Sequence, residues 1–231
     1  MKTIIGKSYL IVPHAGGELT FQYPAFEGTY GSVAKAIDKE GLKRPNSPET
    51  ASLVYDAFQN PNNKYSKEII DILNNINNNY FWEFIGNLYL PKSGEKINNG
   101  VIIEHNPKIK NGKLIMNKNS LIKRLQSKDS NVKFVPFGFK TGEQTWQELE
   151  KNLYIIARYG KEGAEKIAKV ASKYKNKPYI FSFDSVDEEK VPMSALYRSR
   201  GFGDRLYVDG NDWDDDSRGL AFGVCGDNNS S

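Results

Sequence analysis

The C-terminal segment of the chain, from Ser194 to Ser231, cannot form a compact fold by itself, and this constrains the architecture more than any other feature. Turn-forming Gly, Ser, Asn and Asp dominate the segment, and only "RLYV" and "LAFGV" have the apolar character of strands. Two short strands alone are marginally stable at best in water. The segment must therefore be held on a scaffold that the preceding residues build.

The same segment lacks four residue types that are common elsewhere in the chain. Lys, Glu, Gln and Met together occupy 48 of the 231 positions, yet none of them occurs after Met193. About eight would be expected in the last 38 residues at that frequency. This bias indicates that something other than folding restricts the composition.

The whole chain is long enough for one large domain or two small ones. Its apolar share of 39% is sufficient for a core. The single cysteine, Cys225, excludes an internal disulfide and argues against a thiolate metal cage, while His14 and His105 lie too far apart in sequence for a His-rich site. The N-terminal residues read as an early strand and not as a signal peptide, because Lys7 interrupts the apolar run. No apolar run approaches the length of a membrane span.

The net charge of +4 conceals a difference between the two ends of the chain. Residues 1–190 carry 28 Lys and Arg against 21 Asp and Glu, whereas residues 191–231 carry four Arg against seven Asp. The lysines are spread along the chain and do not form the clusters typical of nucleic-acid-binding surfaces. We therefore expect no nucleic-acid partner.

Residues 1–90 are predicted to form an N-terminal accessory α/β region. "TYGSVAKAIDKEG" predicts a helix that ends at Gly41, and "SPETASLVYDAFQNP" predicts a second helix with Ser47 as its cap and Pro48 in its first turn. "SKEIIDILNN" begins a third helix, which the asparagine-rich residues 74–79 interrupt. "WEFIGNLYLP" predicts one strand that ends at Pro91.

Residues 91–131 are interpreted as a connecting segment of short strands and a helical turn, with His105 as a turn histidine, and residues 132–231 as the ligand-binding domain. The third region begins with the strand "VKFVPFGF" and continues with a helix. Thr145 and Glu148 have the spacing of a capping box at the start of this helix, and Gly160 is predicted to end it. The predicted inward residues of this helix are Trp146, Leu149, Leu153, Ile156 and Ala157. A second helix directs Ala164, Ile167, Ala168 and Ala171 inward, and the strand "YIFSF" follows it. These patterns together predict an α+β fold.

The order of elements in residues 132–226 resembles the C-type lectin fold of formylglycine-generating-enzyme relatives and of the variable proteins of diversity-generating retroelements. The resemblance lies in "TWQELEKNLYIIARYGKEGAEKIAKVASKYKNKPY", in "ALYRSR", and in the closing "RGLAFGV", which is similar to the Gly-Phe strand that ends this fold. Residues 1–90 resemble the accessory region of archaeal members. Formylglycine generation requires a cysteine pair, so the resemblance to that enzyme implies the fold and not the activity.

Membership in the retroelement family would explain the missing residue types. In such elements template adenines are mutated, and the favoured codons AAC and AAT cannot yield Lys, Glu, Gln, Met or Trp when both adenines vary. Trp213 would then be a fixed scaffold residue. Arg205, Leu206 and Val208 and the block 218–224 would also be scaffold, because they alternate like strands. The main scaffold residues of that block are Arg218, Gly219, Phe222 and Gly223. The implied variable, ligand-facing positions are Tyr197, Ser199, Gly201, Phe202, Gly203, Asp204, Tyr207, Asp209, Asn211, Asp212, Asp214, Asp215 and Asp216.

Two other interpretations of the acidic residues remain open. Asp209, Asn211 and Asp214 offer oxygen ligands near the spacing of an EF-hand, although the loop lacks the glycine and glutamate of that motif at its sixth and twelfth positions. Alternatively, the loop is a solvated acidic turn of a structural virion or assembly protein, in which Arg205 and Arg218 partly neutralise the aspartates. The pair Asp212 and Asp214 would suit a hydrolase, but no nucleophile and base are recognisable, so we expect no catalysis.

The sequence thus predicts a binding protein that carries a hypervariable C-terminal surface. We expect its partner to be a protein or a cell-surface ligand and expect no cofactor and no metal. We expect display on a virion or a cell surface, with cytoplasmic assembly possible in the absence of a recognisable signal peptide. The ligand and the oligomeric state do not follow from the sequence.

Overall fold

A computed structural model of the chain describes residues 3–4, 7–74, 80–199, 203–212 and 218–226. The helices in these residues are α1 (Tyr30–Lys39), α2 (Ser47–Gln59), α3 (Lys64–Asn74), α4 (Lys118–Gln126), α5 (Trp146–Lys151) and α6 (Leu153–Ala171). The strands are β1 (Thr3–Ile4), β2 (Lys7–His14), β3 (Gly17–Tyr23), β4 (Phe26–Gly28), β5 (Tyr80–Trp82), β6 (Ile85–Leu90), β7 (Gly100–His105), β8 (Lys108–Lys110), β9 (Lys113–Ile115), β10 (Val132–Pro136), β11 (Gly142–Glu143), β12 (Tyr179–Phe181), β13 (Met193–Ser199), β14 (Arg205–Asp212) and β15 (Gly219–Ala221).

A mixed seven-stranded sheet organises the molecule, in the order β11-β12-β14-β13-β5-β15-β4. Its pairs β12–β14 and β15–β5 are parallel, and the central hairpin β13–β14 is antiparallel. The sheet combines strands from the first and the third of the regions predicted from the sequence. The smaller sheets have the orders β1-β2-β3, β10-β7-β6 and β8-β9.

The main core lies between one face of this sheet and the helices α2, α3 and α6. It buries Phe81, Ile180 and Leu196 from the sheet together with Val54 from α2 and Ile167 from α6. A second cluster on the opposite face packs α1 against Trp82 and Ala195. A third cluster packs α4 against the sheet β10-β7-β6. Only part of the second face of the large sheet is therefore covered by a helix.

The end of the described chain returns to the N-terminal hairpin. Val224 bridges Phe21 and Lys43, and the amide of Cys225 donates to the carbonyl of Thr20 at 2.8 Å. The backbone following β15 is thereby attached to β3. The segment that cannot fold alone is held at both of its described ends by residues far away in sequence.

The predicted helix starts are largely confirmed, with one correction. Thr145 and Glu148 form the predicted capping box at the start of α5. The cap of α2, however, is Asn46 and not Ser47, because the Asn46 side chain accepts the Glu49 amide while the Glu49 carboxylate accepts the Asn46 amide. Ser47 is the first residue of the helix.

The prediction of one continuous helix from Thr145 to Gly160 is wrong. Asn152 ends α5 and caps α6 by accepting the Tyr154 amide at 3.0 Å, which changes the phase of the helix. Leu149 is buried as predicted, but Leu153 is 61% exposed and Trp146 is 40% exposed. Gly160 interrupts α6 with φ 69° without ending it.

The second predicted helix of this region is confirmed as the continuation of α6. Its expected inward residues are buried; they are Ala164, Ile167, Ala168 and Ala171.

The prediction of one strand from Trp82 to Leu90 is also wrong. The chain leaves the large sheet after Trp82 and enters the sheet of β7 at Ile85. The backbone between the strands is bound elsewhere, since the Phe84 amide donates to Pro45 at 2.9 Å. Asn74 ends α3, and the rest of the asparagine-rich stretch, residues 75–79, lies outside the described residues.

Candidate functional site

The hairpin β13–β14 has two faces of opposite character. Its inner face consists of Leu196, Leu206 and Val208, each 0% exposed and part of the main core. Side chains alternate along a strand, so the residues next to these point to the other side of the sheet. That outer face carries Tyr197, Tyr207 and Asp209, all of which were predicted to be ligand-facing.

Four tyrosines from four adjacent strands form a row across the outer face. Tyr80, Tyr197, Tyr207 and Tyr179 constitute this tyrosine row, in the order β5, β13, β14 and β12. Tyr197 pairs with Tyr207 and Tyr207 with Tyr179 in the strand register. Successive ring centroids are 4.8, 5.1 and 5.8 Å apart, distances at which aromatic pairs attract.

The middle of the tyrosine row is tightly stacked. The Tyr197 and Tyr207 rings are inclined by only 14°, and Phe181 stacks on the Tyr207 ring with centroids 5.4 Å apart. Because aromatic rings flank it, Tyr207 is only 3% exposed, whereas Tyr80, Tyr197 and Tyr179 are half-buried. The row is therefore a preorganised aromatic surface, and the accessible parts are mainly its flanking members.

Asp209 lies one pleat beyond the row on the same face and is 8% exposed. Its carboxylate accepts the Tyr197 hydroxyl at 3.3 Å and the Asn211 amide at 3.0 Å. The pKa of Asp209 is raised to about 6, chiefly by burial and also by the charge of Asp212, while the Asn211 amide, the Arg158 charge and the Tyr197 hydroxyl act in the opposite direction. Burial and the Asp209 charge likewise raise the pKa of Tyr197. Asp209 forms no ion pair with a described residue.

The described arginines of the C-terminal segment are each bound to a carboxylate. Arg198 pairs with Asp204, and Arg205 reaches Glu143 on β11. Arg205 was expected to neutralise the aspartates of the acidic loop in part, but its partner Glu143 belongs to a different strand. Asp204, also predicted to face the ligand, forms its pair with Arg198 directly before β14, where it and Gly203 have φ of 48° and 102°.

The remaining predicted ligand-facing residues lie at strand ends or outside the described part of the chain. Ser199 is the last residue of β13, and Asn211 and Asp212 are half-buried at the end of β14. Gly201, Phe202, Asp214, Asp215 and Asp216 fall outside the described residues, as does the predicted scaffold residue Trp213.

Three of the predicted scaffold residues are tightly packed. A Cβ atom on Gly219 would lie 2.5 Å from the Trp82 indole nitrogen, and one on Gly223 would lie 2.5 Å from a methyl group of Leu42. Phe222 belongs to the main core. Arg218, by contrast, is exposed and lies 3.5 Å from a Glu27 carboxylate oxygen. The glycines and Phe222 thus have packing reasons to stay constant, and Arg218 has a surface ion pair.

Sequence reasoning missed a buried polar network beneath the hairpin. The Tyr89 hydroxyl donates to the Gly210 carbonyl at 2.9 Å, and the Arg158 guanidinium lies 3.4 Å from the Ala195 carbonyl. These contacts hold β14 and β13 by their main chain. A Cβ atom on Gly210 would lie 1.9 Å from the Tyr154 hydroxyl, so this position requires glycine.

The guanidinium of Arg158 is itself fixed by a buried carboxylate. It pairs with Glu83, both side chains are 0% exposed, and the Tyr159 hydroxyl donates to the same carboxylate at 3.0 Å. Tyr154 and Arg158 are one helical turn apart, so the sequence could have predicted that their side chains are neighbours. No pattern in the sequence indicated that Glu83, 75 positions from Arg158, would be its partner.

The described residues do not assemble the alternative acidic sites. Asp214, which both the calcium site and the hydrolase pair require, lies outside the described residues. Within the described ranges, no group of three or more His, Cys, Asp or Glu residues is arranged to hold a metal ion. Likewise, no described helix combines the length and the apolar character needed to cross a bilayer.

Comparison with known proteins identifies the fold. No protein-family model and no curated protein matches the chain. A solved structure described as "Accommodation of massive sequence variation in Nanoarchaeota by the C-type lectin fold" is similar, with a TM-score of 0.56 and 15% identity. The match covers 87% of this chain and 98% of that one. The expected α+β, C-type lectin fold is thereby confirmed, and the likeness extends well beyond residues 132–226, where it was recognised in the sequence.

Proposed function

We propose that this protein binds a ligand through the outer face of the hairpin β13–β14 and the adjoining loops, and that adenine mutagenesis diversifies this surface. It would thus be a variable protein of a diversity-generating retroelement, acting by binding and not by catalysis. Its target would be a protein or another cell-surface ligand, recognised from a virion or a cell surface.

The observation that carries the proposal is the alternation along the hairpin. Leu196, Leu206 and Val208 are buried in the core, while Tyr197 and Asp209, which were predicted to vary, occupy the other face. Inner-face residues can therefore supply stability while outer-face residues change. A surface that must tolerate many sequences needs this separation, because most changes inside a packed core are destabilising.

The chemistry of the outer face and the structural neighbour support the same function. Tyrosines provide large contact areas at low entropic cost, and Asp, Asn and Ser provide adaptable hydrogen bonds, as in antibody loops. The neighbouring structure is described as accommodating massive sequence variation on this fold. The absence of Lys, Glu, Gln and Met after Met193 agrees with codons whose adenines vary.

Sequencing the 3′ end of this gene from many copies in one population tests the proposal. We expect substitutions at the codons of Tyr197, Tyr207 and Asp209 and in the adjoining loops. The codons of Leu206, Val208, Gly210, Trp213 and residues 218–224 should stay constant and serve as internal controls. A near-repeat of this region should lie beside a reverse transcriptase gene.

Two outcomes would contradict the proposal. A C-terminal segment that is identical in all copies would exclude diversification. Substitutions that fall as often on the inner-face codons as on the outer-face codons would show ordinary drift and not a targeted surface.

A further inference from the structure

We propose that the outer face of this variant binds a basic segment of a partner protein, with an arginine or lysine side chain placed against Asp209 and the tyrosine row. This inference rests on the proposed function, because it assigns a ligand class to the surface proposed above. It concerns this chain's own residues, and copies with other residues at these positions would bind other partners.

The distribution of charge favours a cationic partner. Residues 191–231 carry four Arg against seven Asp, within a chain whose remaining residues are net positive. The described arginines of this segment, Arg198, Arg205 and Arg218, are each paired with a carboxylate other than Asp209. The buried Arg158, which pairs with Glu83, offsets only part of the effect that burial has on Asp209. The Asp209 carboxylate, which is 8% exposed and accepts two neutral hydrogen bonds, therefore has no ion-pair partner among the described residues.

The bonds of Asp209 are of a kind that a cation can replace or supplement. The Tyr197 hydroxyl lies 3.3 Å away, beyond the usual range of O–H···O bonds, and the other donor is a neutral amide. A guanidinium or ammonium group forms shorter and stronger charge-assisted bonds to a carboxylate. A bound cation would also relieve the repulsion between Asp209 and Asp212, which contributes to the raised pKa of Asp209.

The tyrosine row defines how such a side chain would lie. Tyr197 and Tyr207 stack on one another, so their facing ring surfaces are occupied. The row instead offers ring edges and phenolic oxygens, along which the apolar stem of a lysine or arginine can pack while its charged end reaches the carboxylate. An acidic segment would meet Asp209 with like charge and is disfavoured.

A fluorescein-labelled hexa-arginine peptide is a suitable probe, with a hexa-glutamate peptide as its charge-reversed control. Binding is measured by fluorescence anisotropy at physiological salt on the full chain. We expect the hexa-arginine peptide to bind and the hexa-glutamate peptide not to bind. Because the whole chain has a net charge of +4, attraction of the basic peptide would reflect a local site and not the overall charge.

Two substitutions separate the site from general electrostatics. Asp209→Asn should weaken hexa-arginine binding by about tenfold, since it removes a buried charge-assisted contact. Asp71→Asn removes one exposed carboxylate from α3 and changes the net charge equally, so it should leave the affinity unchanged within about twofold. Tyr197→Leu, which keeps apolar volume but removes the ring and hydroxyl, should also weaken binding.

The result that would overturn the inference is equal weakening by Asp209→Asn and Asp71→Asn, or no binding of hexa-arginine by folded protein. Thermal melting of each variant verifies that it is folded. The peptide-binding experiment tests only the class of ligand, whereas gene sequencing tests only whether the surface is diversified. A diversified gene whose product ignores the basic peptide would leave the proposed function intact and refute this inference alone.

Discussion

The inner and outer faces of the hairpin β13–β14 consist of alternate residues of the same two strands, yet they are built on different principles. The inner face is aliphatic and completely buried, as Leu196 and Val208 show. The outer face is aromatic and acidic, and several of its residues are half-buried. On one face the fold depends on side-chain packing, and on the other the side chains are presented by a backbone that is already fixed.

The buried network explains how the outer face can be presented without supporting the fold. Tyr89 and Arg158 bind the carbonyl groups of Gly210 and Ala195, so they hold the strands whatever side chains the neighbouring positions carry. Hydrogen bonds to the main chain are independent of the sequence of the strand that accepts them. The exception is Gly210, where the close approach of Tyr154 excludes any side chain.

Among the substitutions that test this difference between the two faces, Gly210→Ala is expected to have the largest effect on stability. The added Cβ would lie 1.9 Å from the hydroxyl of the buried Tyr154, so β14 or α6 would have to move. We expect a loss of about 3 kcal/mol in the free energy of unfolding, the cost of severe overpacking. Urea denaturation of both proteins measures it.

Gly94→Ala is the matched control, because a Cβ atom there would meet no heavy atom within 4 Å. Its free energy of unfolding should stay within about 0.5 kcal/mol of the original. A Gly210→Ala protein that is equally stable would show that the backbone of β14 is not fixed by the network beneath it.

Asp209→Asn, on the outer face, is expected to have a smaller effect on stability that depends on pH. The pKa of Asp209 is raised from 3.8 to about 6, so the folded protein binds the proton more tightly than the unfolded chain does. The ionised carboxylate therefore reduces stability above pH 6, and this penalty disappears as the pH falls to about 4. Asp209→Asn should be more stable than the original at pH 7.5, by at most about 3 kcal/mol, and the advantage should vanish at pH 4.

Urea denaturation across this pH range measures the difference between the two proteins. Asp71→Asn, at an exposed position on α3, should show no comparable pH-dependent difference. A stability difference for Asp209→Asn that is constant with pH would mean that Asp209 is not desolvated at the outer face.

The sequence was sufficient for the features that depend on local pattern. The α+β fold, the capping box of Thr145 and Glu148, and the inward alanines of α6 all follow from residue types at fixed spacing. The alternation of the hairpin could be anticipated from "RLYV", in which Leu206 and Val208 are buried as expected of scaffold residues.

The features that were missed depend on contacts between distant residues. A strand was expected to continue through Glu83, but Glu83 is the buried partner of Arg158 on α6 and the chain changes sheets next to it. The requirement for glycine at position 210 arises from Tyr154, which is also far away in sequence. Periodicity within a segment contains no information about such pairs.

The central claim is that the hairpin assigns stability to its inner face and recognition to its outer face, and two matched libraries test it most directly. One library randomises Leu196, Leu206 and Val208, and the other randomises Tyr197, Tyr207 and Asp209. The folded fraction of each is measured by protease resistance of the displayed proteins.

We predict that most members of the outer-face library are folded and that only a small minority of the inner-face library is. Truncating one buried leucine costs about 2–5 kcal/mol, so three such changes in the core would together cost about as much as the whole stability of a typical domain. Equal folded fractions in the two libraries would contradict the account, because the two faces of the hairpin would then contribute alike to the fold.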